Sequence, residues 1–351
     1  MGYSLLAGVP PIYGLYTSFL TPLIYAFLGT SKHASIGTFA IISLMTGSVI
    51  ADMKAAAAVS GSSFIEGVTE IEIATTLALL IGLYHLLCFF LRLGYLAQFM
   101  SEQLTSGFIC ASAVYVLSSQ LGYITGVKHL QSSGTGPFGL VRFYADLTSQ
   151  VVAGEANLAS VAISVFCIGL LIGWKFFLSP AVGRSPHRAV AMLQNLPFEL
   201  LLVAAFITAS WYFQLEERFH LSVLGPIPQG LPAFATPLPL ERIYGEGLWR
   251  TAIPLAIVAF AVTYSTGVTF GAKHGYEVSA NQELLALGAT NSLCAFFQCM
   301  PSAASLSRSA LAETVGTRSQ IAGLVNSVVI LVVLLFLSPL LCFLPKVSPL
   351  F

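Results

Sequence analysis

Arg308 is the residue whose type and setting point most directly to chemistry. It ends a charge-free run from Leu284 to Ser307 and follows the sequence Cys299-Met300-Pro301-Ser302-Ala303-Ala304-Ser305. Pro301 donates no backbone hydrogen bond and biases Met300 toward an extended conformation, so the spacing predicts a helix running from Ser305 to Gly316. Such a helix is about 18 Å long, roughly half the thickness of a hydrocarbon core, which places its N-terminus near the midplane. The free N–H groups there carry about half a positive charge and favour an anion. Arg308 in the first turn adds a cation at the wrong end of the macrodipole, at a cost of roughly 0.3 to 1 kcal/mol at exposed sites. A bound anion offsets that cost. The competing structural reading is that Arg308 reaches water or pairs with Glu313; the functional one is preferred, because ionisable residues inside a membrane default to function.

A second interruption runs His33-Ala34-Ser35-Ile36-Gly37-Thr38-Phe39 and gives way to an apolar helix from Ala40 to Ile50. Non-helical backbone at membrane depth needs protein or a water-filled cavity to satisfy it. Paired short or interrupted segments, one in each half of a transporter, point to a midplane binding site. Two helix N-termini facing each other make an anion cradle.

The elements that must position these residues are membrane spans. Of 351 residues, 56% are hydrophobic and only 9% charged, against about 25% charged in an average soluble domain. Fifteen basic residues balance fifteen acidic ones, which excludes a broad electrostatic footprint for nucleic acid. Apolar stretches at Tyr13 to Ser31, Ile73 to Leu91, Gln103 to Val127, Ala156 to Trp174, Leu200 to Phe213, Thr251 to Ala272, Leu284 to Gln298 and Ser319 to Leu344 read as spans. Asp52 to Glu72, Lys128 to Glu155, Ser179 to Pro197 and Gln214 to Arg250 read as connectors. Lys and Arg divide evenly between alternate loops, so the positive-inside bias gives no orientation. Met1 begins within apolar sequence and Phe351 closely follows another apolar stretch, the pattern expected of a fragment of a membrane domain.

Other polar residues take structural readings. Glu102 and Glu199 suit the interface, and His85 suits a buried neutral imidazole with one hydrogen bond. Glu277 and Glu283, near Lys273 and His274, read as part of a solvated loop. Gly2, Gly8, Gly14, Gly47 and Gly267 read as close-packing positions. Six scattered cysteines lack metal-ligand spacing, so neither a metal nor a disulfide framework is expected. No phosphate-binding loop, zinc-protease helix or nucleophile elbow occurs, so the chain reads as neither a pump nor an enzyme, and no cofactor is implied.

The blocks Pro11-Ile12-Tyr13-Gly14-Leu15-Tyr16-Thr17-Ser18, Gly29-Thr30-Ser31-Lys32, His274-Gly275-Tyr276-Glu277-Val278, Asn281-Gln282-Glu283-Leu284, Ser305-Leu306-Ser307-Arg308-Ser309 and Gln320-Ile321-Ala322-Gly323 resemble the sulfate permease (SulP) family of anion transporters. The likeness covers essentially the whole chain and is to the animal branch that includes prestin and pendrin. It implies an all-α polytopic membrane protein with an inverted-repeat fold of seven plus seven segments, here incomplete, and two half-helices meeting at the midplane. Residues 1–351 would form a partial transport domain: most of the first repeat at about 1–215 and part of the second at about 249–345, without the cytoplasmic C-terminal regulatory domain.

The resemblance further implies a substrate site formed by Tyr3, Phe39, Ala40, Leu306, Ser307 and Arg308. Thr38 stands where the family usually has proline. Proton-coupled bacterial members carry a buried acid at a position matching about Val262, and Thr251 to Ala272 contains no acid. Exchange or uncoupled transport of sulfate, chloride, bicarbonate or similar anions is therefore expected; a channel-like pathway and a prestin-like voltage-responsive element are the alternatives. The partners implied are small anions, the lipid bilayer and, in the full-length protein, a second copy in a homodimer, at the plasma membrane.

Overall fold

The computed structural model describes residues 1–60, 67–95, 102–127, 139–154, 156–174, 176, 198–213, 224, 227–239, 242–243 and 247–343. The connector expected at Ser179 to Pro197 and part of that at Gln214 to Arg250 lie outside these residues, as do the side chains of Glu102 and Glu199. Two compact units make up the chain, residues 1–116 with 229–336 and residues 117–228 with 337–351.

The first unit contains α1 (Gly2–Leu6), α2 (Pro11–Leu28), β1 (Ile36–Gly37), α3 (Ala40–Ser60), α4 (Glu70–Phe90), α9 (Leu248–His274), α10 (Ala280–Ala295), β2 (Ala303–Ala304), α11 (Leu306–Thr314) and α12 (Ile321–Val332). Local sequence sets most of the boundaries. Pro11 begins α2, where its missing N–H costs nothing. Thr69 and Glu72 close a capping box on α4, with Thr69 N donating to Glu72 Oε2 at 2.8 Å. Gly275, left-handed at φ 70°, terminates α9 and returns its N–H to Gly271 O. Among the described residues three helices, α2, α4 and α9, are long and apolar enough to cross a membrane.

Between apolar helices in lipid the hydrophobic drive is weak, so close packing of small residues does much of the work. The α4–α10 contact shows it: a Cβ on Gly288 would sit 2.8 Å from Leu86 Cγ, and one on Gly82 would lie 2.8 Å from Gly288 O. Gly47 of α3 meets the backbone of Leu6 and Ala7 in the same way, and Gly14 meets Ser4. Gly8 has open space beside it and instead turns the chain at φ 72°. A buried cluster from α3, α4 and α9 includes Ile50, Met53, Ile73, Leu77, Ile81, Ala252 and Leu255. Phe27, Leu87, Phe90, Ile257 and Leu293 are exposed, as lipid-facing residues are.

The second unit holds the C-terminal part of α5 (Glu102–Thr125), followed by α6 (Gly139–Val152), α7 (Leu158–Gly173), α8 (Phe198–Phe213) and a 3-10 turn at Ser338–Phe343 that packs on α8. Ser118 Oγ and Tyr144 Oη join α5 to α6 at 2.9 Å. Asn157 caps α7 by accepting from Ala159 N at 3.0 Å.

Three boundaries differ from the sequence reading. Helix α3 continues past Ile50 to Ser60, because Asp52 and Lys54 sit on a helix whose Ala55 to Ala58 favour its continuation; Lys54 pairs with Glu70 at the start of α4. The connector placed at Lys128 to Glu155 contains α6, an amphipathic helix that buries Phe143 and Leu147, four residues apart. The span expected from Ser319 to Leu344 is an α-helix only to Val332, after which a π turn at Val333–Leu337 and the 3-10 turn take over around Pro339.

Candidate functional site

The two interrupted segments meet. Strands β1 and β2 pair antiparallel, Ile36 against Ala304 and Gly37 against Ala303. Helix α3 begins three residues beyond β1 and α11 two beyond β2, so the ladder draws the two helix N-termini together.

Backbone groups of the second segment find side-chain partners from three helices. Met300 N donates to Thr17 Oγ1 of α2 at 3.0 Å, Ser302 N to Asn291 Oδ1 of α10 at 2.9 Å, and Ala304 N to Thr263 Oγ1 of α9 at 2.9 Å. Asn291 Nδ2 returns a bond to Ser302 O at 3.2 Å. The first segment is held likewise: Gln320 Nε2 donates to Ser31 O and Ala34 O at 2.6 and 2.9 Å, and Ser35 N to Ser309 Oγ at 2.9 Å. This is the internal satisfaction that non-helical backbone requires at membrane depth.

Ser305 caps α11, its hydroxyl accepting from Arg308 N at 3.5 Å, while its own N–H donates to Ser35 O at 3.0 Å. Replacing it by alanine is expected to cost about 1 kcal/mol, read as a lowered denaturation midpoint with the wild-type slope.

Arg308 lies in the first turn of α11 and reaches across to the other segment. Its Nη1 donates to Thr38 O at 2.6 Å and its Nη2 to Ser35 O at 3.4 Å. Gly37 makes room, since a Cβ there would come 3.2 Å from Nη2. Among the described residues no carboxylate pairs with Arg308: Glu313 is occupied by Lys273 and His274, each at 2.7 Å. The alternative pairing of Arg308 with Glu313 is thereby excluded. A half-buried guanidinium bonded only to neutral carbonyls keeps its charge uncompensated and has further N–H groups to offer.

The other expected residues fall around it. Phe39 and Ala40 open α3, with Phe39 packed on Ile42, Ala259 and Ala303. Leu306 and Ser307 open α11, and Ser307 is exposed. The Tyr3 phenol of α1 lies within electrostatic reach of Arg308. Ala40 is buried and offers backbone rather than side chain.

Glu283 is the position that sequence reasoning misread. It is fully buried, not part of a solvated loop. Its Oε2 accepts from Tyr25 Oη at 2.7 Å; its Oε1 accepts from Thr30 N at 2.8 Å, Thr30 Oγ1 at 2.6 Å and Ser31 N at 3.2 Å. The carboxylate thus fastens α10 to the chain entering β1. His85 is as read, a buried imidazole whose Nε2 lies 2.9 Å from Ala256 O.

Fold and site define a helical membrane domain with two broken segments that converge on an arginine. The chain belongs to the sulfate permease family, whose model matches residues 1–348. It is 36% identical over 362 residues to human sulfate anion transporter 1, covering 97% of this chain and 49% of that protein. It is also 36% identical over 342 residues to human prestin, covering 95% of this chain and 44% of that protein. The chain therefore spans about half the length of the curated relatives it matches. Its structure is similar to that of the murine Solute Carrier 26 family member A9 anion transporter in the inward-facing state: TM-score 0.83, 29% identity, 99% of this chain and 55% of that one. The transmembrane domain of the cyanobacterial bicarbonate transporter BicA shares the fold at a TM-score of 0.75 and 19% identity, covering 99% of this chain and 80% of that one. The chain is thus a helical membrane domain of that family.

Proposed function

We propose that the protein exchanges small inorganic anions, sulfate, chloride or bicarbonate among them, at a site made by Tyr3, Phe39, Ala40, Leu306, Ser307 and Arg308. The observation that carries this reading is Arg308, without a carboxylate partner among the described residues, bridging the two broken segments beside the starts of α3 and α11. Two helix N-termini and one guanidinium together match a mono- or divalent anion. The human relative named for sulfate supports including that ion.

The arrangement fits two inverted repeats, about 1–215 and about 249–345, that present the site to either side of the membrane in turn. In this reading the full-length protein is a homodimer at the plasma membrane. Helix α9 has no acid within Thr251 to Ala272, and the oxygens of buried Glu283 are committed to Tyr25, Thr30 and Ser31. Neither provides a proton carrier to the site.

The test is uptake of radiolabelled sulfate by the full-length protein in proteoliposomes, with pH clamped and the internal anion varied. Exchange requires counterflow: uptake rises about tenfold or more with internal chloride, sulfate or bicarbonate over an impermeant internal anion, and ignores a proton gradient. Ohmic current without counterflow would make the pathway a channel. Nonlinear capacitance without flux would make it a voltage-responsive element.

A further inference from the structure

On the side of the strand pair where α2 ends, two cavities adjoin. One, of about 340 Å³, has Arg308 on its wall with Ser35, Gln320 and Asn326. The other, of about 490 Å³, is lined by Lys32, His33, His274, Tyr276, Glu313 and Arg318, with Gly316 and Thr317 between them. Lys32, His33 and Thr317 border both.

The wall of the larger cavity is prearranged and cationic. Lys32 Nζ stands 5.2 Å over the Tyr276 ring, and Tyr276 Oη lies 2.9 Å from His33 Nδ1. The His33 ring stacks on His274 at 4.3 Å. Glu313 is the one carboxylate lining it among the described residues, and Lys273 and His274 already hold its Oε1. Glu277 is exposed and does not line it. Lys273, which does not itself line the cavity, neutralises Glu313 by that ion pair, so the lining cations Lys32 and Arg318 are left as an excess of two positive charges before either histidine is protonated. Lys32 and Arg318 are exposed and Arg308 half-buried, so water screens the outer pair more and an ion held there exchanges more readily.

We propose that this cavity is a second anion site, which takes a sulfate- or phosphate-type oxyanion between Lys32 and Arg318 and passes it to the adjoining cavity of Arg308. An excess of two positive charges matches a divalent oxyanion. A like-signed path from the Lys32 face to Arg308 raises the local anion concentration at the site's entrance. The inference rests on the reading of Arg308 as the partner of the transported anion.

Equilibrium dialysis of radiolabelled sulfate against the full-length protein in nanodiscs of neutral lipid tests it. The wild type is expected to bind two sulfates per subunit, and Arg308→Gln and the double variant Lys32→Gln/Arg318→Gln one each. Lys32→Arg/Arg318→Lys, which keeps both charges, retains two and controls for misfolding. If the wild type and the Lys32→Gln/Arg318→Gln variant bind equally, the second site does not exist, and the Arg308 reading stands on its own result. If Arg308→Gln matches wild type while the double variant loses one sulfate, the vestibular site stands and the Arg308 reading fails. Adding anionic phospholipid assigns the source of the oxyanion: competition identifies a lipid headgroup phosphate, and its absence a free ion. In proteoliposomes the Lys32→Gln/Arg318→Gln variant should raise the apparent KM for sulfate about tenfold on the Lys32 face alone, with maximal flux preserved. An equal rise on both faces would overturn the relay.

Discussion

Substituting glutamine for Arg308 is expected to lower anion flux through the full-length protein roughly ten- to a hundredfold at subsaturating anion, with normal amounts of protein in the membrane. Hydrogen bonds to a charged group contribute about 1.5 to 3 kcal/mol, and each 1.4 kcal/mol is a factor of ten in affinity. The guanidinium has five donors; Thr38 O and Ser35 O engage one on each terminal nitrogen. Glutamine can still donate to one of those carbonyls, so contact between the segments survives in part while the charge is lost. Arg308→Lys separates the two roles, because it keeps the charge but not the planar fork. Flux that recovers in the lysine variant would assign the effect to charge; flux that stays low would assign it to the bridge from α11 to Thr38 and Ser35. Unchanged sulfate, chloride and bicarbonate fluxes in Arg308→Gln would remove Arg308 from the site.

The half-helix at 306–314 was legible because its signals are local: Pro301 prevents an earlier start, Ser305 caps, and Gly316, at φ 97°, lies just past the end. Convergence of the two broken segments followed from the need to satisfy backbone at membrane depth. Their pairing residue by residue did not follow, because four small or aliphatic residues, Ile36, Gly37, Ala303 and Ala304, carry no register signal of their own. Helix α6 escaped notice because it is amphipathic rather than apolar, and a search for charge-free stretches passes over such helices. Glu283 was misread for a different reason. In sequence it is an acid in the first turn of a helix, next to a charged loop, which is the ordinary solvated arrangement. Its partners, Tyr25, Thr30 and Ser31, lie more than 250 residues away in the chain, and no local pattern connects them.

That buried carboxylate gives the largest effect expected on stability. Replacing Glu283 by alanine leaves Tyr25 Oη, Thr30 N, Thr30 Oγ1 and Ser31 N facing a space without an acceptor. Each unsatisfied buried donor costs about 1 to 3 kcal/mol, so the variant should lose roughly 3 to 5 kcal/mol after water enters to satisfy part of the deficit, a large share of a typical domain's 5 to 15 kcal/mol. Glutamine keeps the shape and one oxygen, so Glu283→Gln should lose only about 1 to 2 kcal/mol and remain folded. The glutamine variant is therefore the functional probe. Thr30 and Ser31 begin the extended stretch that leads through Ser35 to Thr38, and Ser35 and Thr38 supply the carbonyls that hold Arg308. Loosening that entry should weaken sulfate binding severalfold in a protein that still melts cooperatively. Thermal denaturation in detergent and sulfate binding, measured on the same samples, check both statements. A Glu283→Ala protein that melts with the wild type would show that the carboxylate does not fasten α10 to the strand entry, and a Glu283→Gln protein with unaltered sulfate affinity would break the connection between this fastening and Arg308.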